Sequence, residues 1–242
     1  MTDRGRLGAG YTLITQQNYY ASRLAGLAGA TVVKLVTPRM APARFGQSLV
    51  TGPATGEAHG LLGATFEHFL FGLAGTSRVT DGERSLVVEP RGYVYVPASM
   101  HSTLEVGTGA QLLWLKRPYE PVPGLTAPEV SHGNSESVTA RPTVTAGLTR
   151  RELIDPDDAA HDFNMSLMRF EPDVGLPQIE IHDEEHGLWM TAGGGMYHLG
   201  GDDHEVAAGD FIYMAPYCPQ GFRAGPSGAE YLLYKDVFRD GF

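Results

Sequence analysis

Apolar residues fall along this chain in short runs set between polar and glycine-rich intervals, and one of them, residues 163–170, roughly alternates with a period of two. Residues 31–36, 45–50, 65–73, 85–89, 93–97 and 111–116 each read as strand, with Pro38 and Pro42 punctuating one interval and glycine-rich turns most of the others. Residues 11–15 form a shorter run inside an N-terminal arm that extends to about residue 28. The rhythm restarts after residue 160 with runs at 163–170, 175–182, 187–193, 195–199, 210–214 and 231–235. No long stretch has the 3.6-residue period of an amphipathic helix. The pattern predicts an all-β protein, an antiparallel sandwich or barrel.

The strand rhythm is interrupted once. Between Pro118 and Val144 the chain turns to Pro, Gly, Ser and Thr, the composition of an inter-domain linker. The flanking halves match. Glu67-His68-Phe69-Leu70-Phe71-Gly72 lies over Glu185-His186-Gly187-Leu188-Trp189-Met190 at an offset of 118. Residues 93–97 lie over 212–216, and Leu112-Leu113-Trp114-Leu115-Lys116 over Tyr231-Leu232-Leu233-Tyr234-Lys235, both at an offset of 119. Three blocks in one order predict a duplicated unit. The expected division is 1–120 for the arm and first unit, 121–144 for the linker and 145–242 for the second unit.

Composition narrows the function. A net charge of −10 with no basic cluster argues against nucleic acid or an anionic membrane as partner. No apolar run is long enough to span a bilayer, and the start of the chain lacks the apolar core of a secretory signal. One cysteine, Cys218, allows no internal disulfide, so a cytoplasmic setting is expected. Cys218 itself reads as a thiol in a turn, pointing away from the site. The lysines number three, Lys34, Lys116 and Lys235, so lysine is placed sparingly.

The second half carries the chemistry. Glu180 and His182, two apart, share one face of a strand, and His186 follows at a distance that lets a bend return it to the same point. One carboxylate and two imidazoles suit Mn, Fe(II), Zn or Ni. Lys235 sits in an apolar run with Tyr231 on the same face. It either reaches the barrel mouth as a carboxylate anchor and proton carrier, or is a strand-end lysine in solvent. Tyr197 either reaches the pocket or is a core tyrosine. His132, His198 and His204 read as solvated or supporting groups.

With the repeat, these residues resemble the cupin superfamily: Gly175, Glu180-x-His182-x3-His186, Gly193, Gly209-Asp210 and Pro216-x3-Gln220 follow its two motifs in layout. The departures are Glu in the first ligand position and Gln220 in place of the last histidine. The resemblance implies a small β-barrel per half, a bicupin, with the metal inside the barrel. His68 and His101 match His186 and Gln220, whereas Leu62 and Ala64 stand where Glu180 and His182 do. The first barrel is therefore expected to be degenerate and metal-free; a three-histidine alternative including His59 stays open.

Within cupins the chain resembles the (S)-ureidoglycine aminohydrolase family, through the Glu180 to Gly187 stretch, residues 209–214, Gln220 and Tyr234-Lys235-Asp236, and also through residues 162–165 and 116–119. The resemblance implies Mn²⁺ held by Glu180, His182, His186 and Gln220, with Fe²⁺, Ni²⁺ or Zn²⁺ as alternatives. It implies Tyr231, Lys235 and Tyr197 at a small-molecule substrate, Glu180 and Lys235 in proton transfer, and loss of ammonia from ureidoglycine. Two other readings fit the same residues: a metal-dependent dioxygenase or isomerase of a small hydroxy acid, and a non-catalytic small-molecule binder. Edge strands and tyrosine content are compatible with a homo-oligomer.

Overall fold

The computed structural model describes residues 3–24, 26–40, 42–82, 84–237 and 239. Met1 and Thr2, the start of the arm, and the last residues of the second unit lie outside them. The chain forms two compact units, one of Tyr20–Ser137 and one made from both ends, Met1–Tyr19 with Val138–Phe242.

In the contiguous unit, eleven strands form one antiparallel sheet, among them Leu27–Val36, Gly46–Thr51, Glu67–Ala74, Gly92–Val96 and Gln111–Arg117. Alternate residues of these strands, such as Val32, Val50, Leu70, Val94 and Leu112, bury a common core with Trp114. This inward face at period two is what the polar–apolar alternation requires.

The second unit is a nine-stranded antiparallel sheet with Tyr11–Ile14, Phe211–Met214, His186–Leu199, Gln220–Asp236 and Phe163–Phe170 as successive neighbours. Leu188, Met190, Tyr197, Ile212, Phe222 and Tyr231 pack its core with Leu13 of the N-terminal strand. The arm expected with the first unit therefore divides at Tyr19. Leu13 is 1% exposed, its strand pairs with Phe211–Met214, Arg4 hydrogen-bonds Asp210 and the Tyr19 hydroxyl donates to the Gly209 carbonyl. An apolar strand that covers a sheet edge belongs to the core it completes.

Three further expectations change. The stretch read as linker holds a strand, Ser131–Asn134, whose pairing with Gly92–Val96 includes His132. The expected break at Gly193-Gly194-Gly195 is absent: His186–Leu199 is continuous, and the glycines let neighbouring backbone approach. A Cβ at Gly193 would sit 2.1 Å from the Gly228 carbonyl, and Gly193 has a φ of +66°. Finally, register places Val96 opposite His68 and Met214 opposite His186, so Tyr95 matches Tyr213 and the middle repeat block is offset by 118. The outer blocks hold: Lys116 lies opposite His68 as Lys235 lies opposite His186.

Candidate metal centre

Glu180 and His182 lie in an irregular segment rather than a strand. Pro177 interrupts donation to a ladder, and two isolated bridges, Gly175 to Arg223 and Glu180 to Gln220, fasten the segment to Gln220–Asp236. The Glu180 and Gln220 backbones exchange hydrogen bonds of 2.8 and 3.0 Å. Alternation survives locally, since Ile179 and Ile181 are exposed while Glu180 and His182 turn inward. The Tyr217 N–H donates to the His182 carbonyl at 2.7 Å and holds the far end of the segment. His186 opens its strand between Met214 and Lys235.

His182 Nε2 lies 3.2 Å from His186 Nε2 and 3.1 Å from the Gln220 amide nitrogen. A flip of that amide offers its oxygen at the same place. Ligands held at about 2.1 Å and roughly right angles to one another stand about 3.0 Å apart, so these separations fit a shared divalent ion. Burial, with the charges of His182 and Lys235, holds the fully enclosed His186 well below the ordinary histidine pKa, which keeps it neutral and able to ligate.

Glu180 is placed differently from expectation. Among the described residues no carboxylate oxygen lies within 4.8 Å of ligand nitrogens on both His182 and His186. The Glu180 charge acts instead on Tyr197 and Tyr231, whose phenols burial raises first and Glu180 then raises further. Both tyrosines are 2% exposed and pack against Phe222 inside the barrel. Glu180 is half-buried, and its backbone bridge to Gln220 keeps it beside the centre.

The residue that sequence reasoning missed is Glu184. Its carboxylate lies 2.8 Å from His182 Nδ1 and 2.8 Å from Lys235 Nζ. Burial pushes Glu184 up, but the hydrogen bond and charge of Lys235, with His182, outweigh it and hold the carboxyl below its ordinary value. The Glu184 carboxylate meets His182 Nδ1 as a charged neighbour, without a hydrogen bond of good geometry, and becomes a tautomer-fixing partner when the two groups align. Glu184 falls two residues after His182, and that spacing, the same as from Glu180 to His182, was the available signal. Lys235 is accordingly at the mouth, paired with Glu184, rather than a solvated strand end.

Other expected groups stand apart from this centre. His198 pairs with Asp203 on the hairpin at 2.8 Å, and His204 meets the Tyr11 hydroxyl at 2.9 Å. Burial raises the Cys218 thiol, which points to the Pro219 carbonyl. In the first unit the histidine that matches His186 is otherwise engaged. The Trp114 indole donates to His68 Nδ1 at 3.1 Å, and His68 Nε2 meets the Gly63 carbonyl at 3.1 Å. His59 and His101 are exposed and do not gather around it. The carboxylate–imidazole group found there, Glu57, His59 and Glu105, is a solvent-facing cluster with Arg78 3.9 Å from Glu105.

Two antiparallel barrels, one with imidazole and amide ligands converging at its mouth, define a bicupin. A cupin barrel protein from Leptotrichia buccalis superposes on 93% of the chain, and 95% of its own, with a TM-score of 0.65 at 13% identity. A Pseudomonas aeruginosa crystal structure, named for induction by glyoxylate, does so over 100% of this chain and 93% of its own with a TM-score of 0.88 at 26% identity. No family model matches the chain. The (S)-ureidoglycine aminohydrolase of Arabidopsis thaliana is 31% identical over 95% of this chain and 76% of its own, and that of Escherichia coli is 29% identical over 95% and 89%. The chain belongs to the (S)-ureidoglycine aminohydrolase family.

Proposed function

We propose that the protein hydrolyses (S)-ureidoglycine, releasing ammonia and leaving (S)-ureidoglycolate, with Mn²⁺ held by His182, His186 and Gln220, and by Glu180 once its side chain turns toward them. The observation that carries the reading is the convergence of the His182, His186 and Gln220 side chains beside the Lys235–Glu184 pair. Family membership supports the choice of substrate. Mixed nitrogen and oxygen donors without thiolate suit Mn²⁺.

A divalent ion at this point supplies Lewis acidity toward a bound amino acid derivative. The side chains account for the rest. Lys235 offers a positive charge at the mouth, where it anchors the substrate carboxylate. Once aligned with Nδ1, Glu184 keeps His182 in the ligating tautomer. Held ionised at neutral pH by Lys235 and His182, Glu184 is also the base for the incoming water. The water's oxygen displaces the amine, the carbon–oxygen bond forming as the carbon–nitrogen bond breaks; Glu184 takes the water's proton, and the Lys235 ammonium gives one of its own to the leaving nitrogen and regains it from Glu184. Tyr197 and Tyr231, kept neutral by burial, form a water-excluding floor and do not compete as anions.

The test is ammonia release from freshly prepared (S)-ureidoglycine by protein loaded with Mn²⁺. The expected result is a rate well above spontaneous decay, falling to the spontaneous rate after chelation and returning with Mn²⁺. Ammonia release no faster than the spontaneous rate at full metal loading overturns the reading.

A further inference from the structure

The first unit has a cavity of its own, far in sequence from the metal centre, and its lining is unlike the rest of the molecule. The protein carries a net charge of −10, yet the lining of this cavity of about 640 Å³ includes Lys34, Lys116, Arg39 and Arg44 and no carboxylate. Two of the three lysines in the sequence are therefore spent here.

Strand register explains the arrangement. Lys34, Ser48 and Trp114 are cross-strand neighbours, and so are Gly46, Lys116 and His68 in the adjoining row. Both rows belong to the inward face that carries Trp114 into the core. Lys116, half-buried, thus projects over a floor of Trp114 and Phe66, and Lys34, exposed, stands at the edge of the same cavity. Lys116 Nζ lies 5.4 Å from the centroids of both rings. Small residues at Gly46 and Ser48 leave the space open.

Lys116 is met by the faces of Phe66 and Trp114, and Lys34 and Arg39 by solvent, rather than by carboxylates. Arg44 pairs with Glu120 at the rim. Among the described residues, no carboxylate pairs with Lys34, Arg39 or Lys116. Burial, and then the like charge of Lys34, lowers the Lys116 pKa. The half-buried Lys116 and the exposed Lys34 carry like charge on one cavity, and an anion between them removes that repulsion. The aromatic floor requires an apolar body on the anion, and the volume is that of ordinary small-molecule sites.

We propose that this cavity binds a small organic carboxylate, its anionic end between Lys34 and Lys116 and its apolar body against Trp114 and Phe66. The site is independent of the metal centre, so either can fail without the other.

Calorimetric titration of the full chain with benzoate, benzamide and inorganic phosphate tests it. The expected result is saturable binding of one benzoate per chain, with benzamide about tenfold weaker or more, since it lacks the charge. Lys116→Met and Lys34→Met should each weaken benzoate about tenfold. Gly46→Leu should abolish binding by filling the cavity: a Cβ there meets Val36 and Lys116 only at 3.7 and 3.9 Å, so the backbone tolerates it. Lys235→Met, at the other barrel, should leave benzoate affinity unchanged. Circular dichroism and melting confirm folding, and either lysine variant suffices if the other fails to fold. Equal affinity for benzamide, phosphate binding as tight as benzoate, or loss of benzoate binding in Lys235→Met but not in the Lys116 or Gly46 variants overturns the proposal.

Discussion

One carboxylate shared between an imidazole and an ammonium decides what His182 can do. Glu184 lies 2.8 Å from each partner, and a neutral amide in its place keeps the shape while losing the charge. Glu184→Gln is expected to weaken metal binding about 10- to 100-fold with the fold intact, read by chelator competition and circular dichroism. His68 supplies a second residue-scale prediction. Burial lowers its pKa to about 4, with the Gly63 backbone opposing and Lys116 reinforcing the shift. Between the ordinary value of 6.5 and about 4, the unfolded chain binds the proton and the folded chain does not. Stability is therefore whole above pH 6.5 and falls as the pH drops toward 4, by up to about 3 kcal/mol. Urea unfolding of His68→Gln across this window should show a correspondingly shallower pH dependence than the unaltered protein. His68 also shows where sequence reading stops. Its alignment with His186 is visible in the repeat, but its capture by the Trp114 indole depends on a cross-strand neighbour 46 residues away.

At the scale of elements, strands were legible wherever one face is buried, because alternation then marks the inward side. Gly46–Thr51 comes near this rule, whereas Glu67–Ala74 and Gln111–Arg117 are buried on both faces and were legible as continuous apolar runs; their His68 and Lys116 are matched by His186 and Lys235 in the second half. Reading failed where backbone, not side chains, makes the contact. Gly193, Gly194 and Gly195 resemble a turn in sequence, yet they are the middle of a bent strand against which the carbonyls of Gly228, Val206 and Arg223 pack within 2.3 Å of any added Cβ. The metal segment from Glu180 to His186 was legible in its spacing and not in its conformation: two bridges, rather than a ladder, set which way its side chains turn. Glu184 escaped notice for the same reason, since its two partners come from either side of the bend.

At the scale of the molecule, the duplicated scaffold carries two unlike mouths. Imidazole and amide groups converge in one, ammonium groups in the other. A ligand that binds only the folded form of one unit should protect that unit alone. Added Mn²⁺ is expected to slow hydrogen exchange in His186–Leu199 and Gln220–Asp236, while Glu67–Ala74 and Gln111–Arg117 stay unchanged; mass spectrometry of exchanged peptides reads both. Equal slowing in all four strands would sink the assignment of the ion to the second barrel.

The N-terminal strand has a consequence for how the protein is made. Tyr11–Ile14 pairs with Phe211–Met214, near the other end of the chain, whereas Tyr20–Ser137 is contiguous. On the ribosome, the contiguous barrel is complete in sequence while the early strand, paired locally with Arg6–Gly8, still lacks its neighbour Phe211–Met214. At about 5–20 residues per second, that strand waits roughly 10–40 s between its own synthesis and that of its mate. Of the two barrels, the one with the metal centre is thus the later to close, and an apolar strand made before either barrel is among the last to find shelter.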